Sequence, residues 1–327
     1  MKILSRAEID CFKSFLASHD FFYIVGHKEP DGDCISSCLA LSYLLEAKGK
    51  KFQLLSAGPF KKPEVNPHKD LFSNEMQFLT EDERKKSALI MADCSEYSRL
   101  GEIEGDMKSL DLCIIDHHKT ANAPANALSF IDATSPATCA IVQQLYEGVA
   151  ELSENAAKIL FTGLCTDTGF FRFLTDDASE VFVQASRLVS KGANPRKTYD
   201  FITGGKSYES RKLLSRILSN AERYLQNRLV VCFETLEDTA AYGNGGRDSD
   251  ALYSLLLAVE GVEAVAFVRQ ESQNSCTLGL RSRDAVDVSL VASKFSGGGH
   301  KNASGASVDG KLETLIPIIV KEFARIM

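Results

Sequence analysis

The chain has 327 residues, 44% hydrophobic and 25% charged, with a net charge of −7. That length suits one large domain or two of ordinary size. The acidic balance argues against a broad basic face that grips long duplex nucleic acid, yet it leaves room for a small anionic substrate held by metal ions and local arginines. No apolar run of about 18 residues is present, so no transmembrane helix is expected, and the N-terminal M-K-I-L-S-R-A-E-I-D lacks a signal-peptide core. The nine cysteines are odd in number, scattered and without a C-x-x-C pair. They read as reduced thiols of a cytoplasmic protein, not as a disulfide frame or a zinc–thiolate site.

In chain order, residues 21–26 predict a strand and 34–49 a helix that ends near Gly49. F-Q-L-L-S-A (52–57), A-L-I-M-A-D (88–93) and L-C-I-I-D (112–116) predict further strands. Short, uninterrupted apolar strands separated by helices predict an α/β fold with a parallel sheet and helices on both faces. Residues 136–192 read as mostly helical, G-A-N-P-R-K (192–197) as the start of a boundary, and 206–226 as a charged helical connector. A smaller α/β unit begins near Leu229, with a strand L-V-V-C-F-E, a helix over 250–260, and two strands joined by Q-E-S-Q-N. Its unusual segment is F-S-G-G-G-H-K-N-A-S-G, 295–305. The expected division is a first domain over 1–192, a helical linker over 193–226 and a second domain over 227–327, with the active-site cleft between the two domains.

Chemistry-bearing residues collect at the ends of these elements. F-F-Y-I-V-G-H delivers His27, H-K-E-P-D-G-D adds Asp31 and Asp33, A-L-I-M-A-D ends on Asp93, L-C-I-I-D-H-H gives Asp116, His117 and His118, and T-G-L-C-T-D-T-G carries Asp167. In parallel sheets ligands bind outside the carboxyl ends of the strands, where several of these residues fall. An isolated Asp after a strand is usually a cap or a loop residue. The whole ordered set points instead to a metal site large enough for two ions. In extended backbone Asp31 and Asp33 would face the same way, with Gly32 allowing a sharp turn, and each could bind a different ion. Asp93 has two oxygens to share between both ions, and His27 and His117 offer neutral nitrogens. The four carboxylates 31, 33, 93 and 167 would offset two divalent cations, the arrangement used for in-line attack on phosphorus. Nitrogen and oxygen donors without thiolates favour Mn²⁺, with Mg²⁺, Co²⁺ or Zn²⁺ as alternatives.

The series H-K-E-P-D-G-D, M-A-D, I-D-H-H and T-D-T-G resembles the DHH phosphoesterase superfamily, which includes RecJ-type exonucleases, family II pyrophosphatases, and nanoRNases with pAp phosphatase activity. G-G-G-H-K-N-A-S-G resembles the glycine-rich element of the associated C-terminal domain. The resemblance implies that His27 and Asp31 bind a first ion, that Asp33, His117 and Asp167 bind a second, and that Asp93 bridges them. It also implies that Asp116 orients a neighbouring imidazole and that His118 faces the substrate phosphate. Cys94 stands where relatives often have Thr or Ser.

In the second domain, Gly297, Gly298 and Gly299 offer unhindered N–H groups to an anion, with His300 close behind, and Arg281 could add a bidentate phosphate contact. Arg281, Gly298, Gly299 and His300 are therefore the expected substrate-binding residues. A fixed span from the metals to this loop would favour short single-stranded oligonucleotides, and pAp with phosphates at both ends. The leading expectation is degradation of short oligonucleotides to mononucleotides together with dephosphorylation of pAp to AMP. A cyclic-dinucleotide or pApA phosphodiesterase is the main alternative. A RecJ-like exonuclease, a pyrophosphatase and an inactive nucleotide-binding module rank lower. Preferred substrate, native metal, cleavage polarity and oligomeric state stay open, with a homodimer suggested by similar proteins.

Overall fold

The computed structural model describes residues 1–243, 247–283 and 285–327. The chain forms two compact units, Met1–Gly205 and Lys206–Met327.

The first unit runs α1 (Arg6–Ser18), β1 (Phe21–Val25), α2 (Gly32–Ala47), β2 (Lys51–Leu55), α3 (Glu81–Arg84), β3 (Ser87–Ala92), β4 (Asp111–Asp116), β5 (Leu128–Ile131), α4 (Thr138–Val149), α5 (Glu154–Asp167), α6 (Ser179–Ser190) and α7 (Pro195–Thr203). Its five strands are all parallel, in the order β2-β1-β3-β4-β5. The uninterrupted apolar strands bury both faces. On one face Phe22, Ile24, Ile90 and Ile115 pack against residues of α1, α2, α4 and α5. On the other, Tyr23, Val25, Met91 and Ile114 meet Met76, Leu100 and Leu110. Helices were expected on both faces; the long ones pack on the first, and the second is covered by the connections between strands with their short helical turns. The run from β2 to β3 holds only the four-residue α3 and a six-residue 3₁₀ turn, Asn66–Leu71. The chain steps from β1 outward to β2, returns past β1 to β3 and continues to β5. Its direction therefore reverses between β1 and β3, which makes their carboxyl ends the switch point where such sheets bind ligands.

Capping fixes the helices that matter most here. Asp31 caps α2 by accepting the Cys34 N–H, and Ser153 caps α5 by accepting the Ala156 N–H. This corrects the expected geometry of D-G-D. Asp31 and Asp33 do not share an extended strand, because helix α2 begins at Gly32 and Asp33 stands in its first turn. Gly32 is needed for space, not for a turn: a Cβ there would lie 2.4 Å from the Thr166 Cγ2 of α5. Strand β5, L-S-F-I, is too short to announce itself by pattern.

The second unit comprises α8 (Tyr208–Ser219), β6 (Glu222–Tyr224), β7 (Leu229–Glu234), α9 (Leu236–Tyr242), α10 (Ser249–Leu257), β8 (Ala264–Ser272), β9 (Ser275–Ser282), α11 (Val288–Ser293), β10 (Gly298–His300), β11 (Ala303–Asp309) and α12 (Leu312–Phe323). Its mixed sheet has the order β10-β11-β9-β8-β7-β6, with only β7 and β8 parallel. One face packs on α11 and α12, the other on α8 and α10. The predicted connector over 206–226 contains helix α8 and then β6, which pairs with β7. The glycine-rich segment expected as a loop is a hairpin strand, with Gly298 opposite Gly305 and His300 opposite Ala303. Among the described residues no helix is long and apolar enough to cross a membrane.

Candidate metal centre

His27 follows β1 by two residues, Asp93 directly follows β3, and Asp116 closes β4 with His117 and His118 just beyond it. Asp31 and Asp33 sit at the start of α2, and Asp167 is the last residue of α5. These elements converge on Asp93, which is 2% exposed. Asp93 turns Oδ2 towards His27 Nε2 at 3.4 Å and Oδ1 towards His117 Nε2 at 3.6 Å. His27 Nε2 is also 3.9 Å from Asp31 Oδ1. His117 Nε2 lies 3.2 Å from Asp167 Oδ2 and 4.0 Å from Asp33 Oδ2. All six predicted ligands therefore come together, in two groups that meet at Asp93.

The imidazoles are held with the correct nitrogen inward. His27 Nδ1 donates to the Lys28 carbonyl at 2.8 Å and His117 Nδ1 to the Ser135 carbonyl at 3.2 Å. Each bond leaves Nε2 as the free donor to an ion, as metal-ligating histidines require. The N-terminus of α4 supports the carboxylates, a role without a motif in the sequence. The N–H groups of Thr138 and Cys139 donate to Asp33 at 2.6 and 2.8 Å, and the Thr138 hydroxyl donates to Asp93 Oδ1 at 2.8 Å. A helix N-terminus favours such negative charge. Asp93 itself adopts φ +62°, in the sparsely populated left-handed region, and its N–H donates to the Ile115 carbonyl of β4. Strained backbone of this kind persists where the surroundings dictate it, commonly at working sites.

Electrostatics point the same way. Burial, then the neighbouring Asp167 and Asp93, push the Asp33 carboxyl well above its usual range. Burial and the Asp31 and Asp93 charges raise Asp167. Burial opposes charge on His117, but hydrogen bonding to Asp167 and the charge of Asp33 prevail and raise it to about 10. His27 is likewise raised against its burial, by Asp31 and Asp93. Burial works against the Asp31 carboxylate, yet His27 and the Cys34 N–H hold it below the usual range. Raised proton affinity at Asp33, Asp167, His27 and His117 marks a buried negative site short of positive charge. Two divalent cations would supply that charge, so the donor set fits them.

One of the nine cysteines lies beside the candidate ligands. The Cys34 Sγ, a His27 ring nitrogen and an Asp93 carboxylate oxygen all lie within 4.8 Å of one another. The cap at Asp31 starts α2 so that its first turn brings this thiol beside the expected nitrogen and oxygen donors. Two further groups satisfy the same spacing, Asp33–His117–Asp167 and Asp93–His117–His118. Asp116 stands one step outside these groups. Its Oδ1 accepts the His118 Nδ1–H at 2.7 Å and the His118 backbone N–H at 3.1 Å, and its buried Oδ2 has no partner among the described residues. Burial disfavours its charge, but the His118 hydrogen bonds prevail and hold its pKa below the usual value.

In the second unit, Arg281 lies over the Tyr253 ring, 4.7 Å from its centroid. Both line an open pocket of 360 Å³ with Phe267, Arg269, Thr277 and Gly298. Gly299 and His300 do not line it. Gly299 has φ +142° inside the hairpin, and the exposed His300 accepts the Ser304 hydroxyl through its carbonyl. Tyr253, Phe267, Arg269 and Thr277 carry no sequence signal, since each belongs to an ordinary helix or strand pattern.

A parallel α/β sheet whose switch point gathers imidazoles and carboxylates in two ion-sized groups defines a metal-dependent phosphoesterase. The model of the DHH family, N-terminal domain, matches residues 21–164, and that of the DHHA1 domain matches 211–326. The bifunctional oligoribonuclease and PAP phosphatase NrnA of Thermus thermophilus is 31% identical over 291 residues, covering 88% of this chain and 84% of that protein. The cyclic-di-AMP phosphodiesterase PdeA of Listeria monocytogenes is 23% identical, covering 91% of this chain but 46% of that protein. An exopolyphosphatase-related protein from Bacteroides fragilis shares the fold, with a TM-score of 0.79 at 24% identity over 99% of this chain and 98% of that one. The chain belongs to the DHH family and carries its DHHA1 domain.

Proposed function

We propose that this protein is a two-metal-ion phosphodiesterase that degrades short oligonucleotides to mononucleotides and removes the 3′-phosphate of pAp to give AMP. The observation that carries the reading is the placement of Asp93, with one oxygen facing His27 and the other facing His117. His27, Asp31 and Asp93 would hold one ion, and Asp33, His117, Asp167 and Asp93 the other, with Mn²⁺ favoured. The bound ions would neutralise charge on the scissile phosphoryl group.

The chain's own groups would do the rest. Asp116 holds the His118 ring through Nδ1, which leaves Nε2 to bind a phosphate oxygen and to deliver a proton to the departing ribose 3′-oxygen. Oligonucleotide cleavage and pAp hydrolysis both expel that oxygen, so one site serves both. The pocket of the second unit would bind the nucleotide portion, with the Arg281 guanidinium as phosphate donor. Eight buried free cysteines suit a reducing, cytoplasmic setting.

The same chemistry would cleave pApA or a cyclic dinucleotide, a second reading favoured by the likeness to PdeA. The deciding experiment compares kcat/KM, with Mn²⁺, for a dinucleotide, a pentanucleotide, a long oligonucleotide, pAp, pApA, a cyclic dinucleotide and pyrophosphate. Short oligonucleotides and pAp should lead. A long oligonucleotide cut as fast as the dinucleotide would remove the preference for short chains, and activity confined to pyrophosphate would overturn the reading altogether.

A further inference from the structure

We infer that Cys34 is a sulfur donor of the first metal position, so that this position also accepts thiophilic divalent ions of the zinc and cadmium class. The inference rests on His27 and Asp93 being ligands of that position. Three observations carry it. The Cys34 Sγ, a His27 ring nitrogen and an Asp93 oxygen lie within 4.8 Å of one another, close enough for one ion to contact all three. The thiol is fixed in place: Cys34 is 1% exposed, and its N–H is tied to Asp31 Oδ1, a carboxylate of the same group. Space has been left for the sulfur, because a Cβ on Gly26, just after β1, would stand 2.1 Å from the Cys34 Sγ.

The chemistry that follows is ion exchange with a proton released. A hard ion such as Mn²⁺ or Mg²⁺ is satisfied by the imidazole and carboxylates, and the thiol keeps its proton. A thiophilic ion forms a metal–sulfur bond, and the Cys34 proton passes to solvent. One imidazole nitrogen, carboxylate oxygens and one thiolate are the mixed set that suits four-coordinate zinc. Cys34 thereby biases the choice of ion at this position.

The test titrates metal-free protein with Cd²⁺ and follows the ultraviolet cadmium–thiolate absorption, with Mn²⁺ binding measured by electron paramagnetic resonance. Wild type should develop the band with the first equivalent. Cys34→Ala and Cys34→Ser should lose it, with Cd²⁺ and Zn²⁺ binding weakened by at least about ten-fold, the scale of losing a tuning group at a metal site, and Mn²⁺ binding nearly unchanged. Cys38→Ala, one helical turn further along α2 and also buried, should keep the band. A band that persists in both Cys34 variants, or that disappears equally in Cys38→Ala, overturns the role of Cys34. Failure of the wild type to bind Mn²⁺ at all would instead refute the metal centre itself, so the two ideas fail in distinguishable ways.

Discussion

The Thr138 hydroxyl donates to Oδ1 of Asp93 at 2.8 Å. The backbone N–H of the same residue donates to Asp33 at 2.6 Å, so a single residue at the start of α4 steadies two carboxylates from different elements. Thr138→Val preserves shape and backbone but removes the hydroxyl, leaving a buried carboxylate oxygen without its donor. We expect Mn²⁺ affinity to fall by about ten- to a hundred-fold and stability by roughly 1–3 kcal/mol, with Thr138→Ser close to wild type. Calorimetric Mn²⁺ titration and urea unfolding check both numbers. Wild-type affinity in Thr138→Val would show that the hydroxyl does not tune the site.

Stability of the metal-free protein should fall as pH rises from 6.5 to 10. His117 is raised from 6.5 to about 10, so the folded state holds its proton longer than the unfolded chain. That stabilisation is complete below pH 6.5 and is lost as pH climbs to 10. Asp33 and Asp167, also raised, act in the same sense, with a contribution present below 3.8 and lost as pH rises through their raised values. Asp31 runs the other way: its contribution is present above 3.8 and is lost as pH falls through its depressed value. Thermal unfolding in chelator across this range should show a falling Tm in wild type and a flatter profile in His117→Gln. With Mn²⁺ the trend should reverse, because the ion displaces the His117 proton. Identical slopes in wild type and His117→Gln would remove His117 as the cause.

In the proposed mechanism Asp116 positions the His118 ring, and its variant should separate turnover from metal binding. Asp116→Asn weakens the grip on the His118 ring while leaving the donors around Asp93 in place. We expect kcat to drop by about 10²-fold or more, within the usual range for losing acid–base assistance, while KM and Mn²⁺ content stay near wild type. Loss of metal together with activity would mean that Asp116 supports the ions directly.

Much of the candidate metal centre was legible in the sequence, because each expected ligand stands at or just beyond the end of an apolar strand, at the start of α2 or at the end of α5. His27, Asp93 and Asp116 to His118 mark the ends of strands, and burial on both faces makes such strands continuous apolar runs. Thr138 and Cys34 were not legible. The role of Thr138 depends on where α4 docks against α2, a contact between residues about a hundred positions apart, and the place of the Cys34 thiol depends on the Asp31 cap that starts α2. The Asp31–Asp33 pair was misjudged because a D-G-D turn and a capped helix start share one pattern. In the second unit the stacking of Arg281 on Tyr253 arises only from tertiary packing, and glycines that suggested a free loop pair as a hairpin.

That hairpin gives a contrast between adjacent glycines. Among the described residues a Cβ at Gly298 meets nothing within 4 Å, whereas one at Gly299, with φ +142°, would lie 2.5 Å from the Ala303 carbonyl oxygen. Gly299→Ala should therefore cost roughly 1–3 kcal/mol through strain and overpacking. Gly298→Ala should stay within about 0.5 kcal/mol of wild type, as an exposed change without a clash. Gly298 borders the pocket with Arg281, so its methyl should narrow the approach of a nucleotide and raise KM for pAp without lowering Tm. Thermal melts and steady-state kinetics on both variants measure this. A Gly298→Ala protein with unchanged KM for every substrate would take the hairpin out of substrate binding and leave its glycines to serve only the close pairing of β10 with β11.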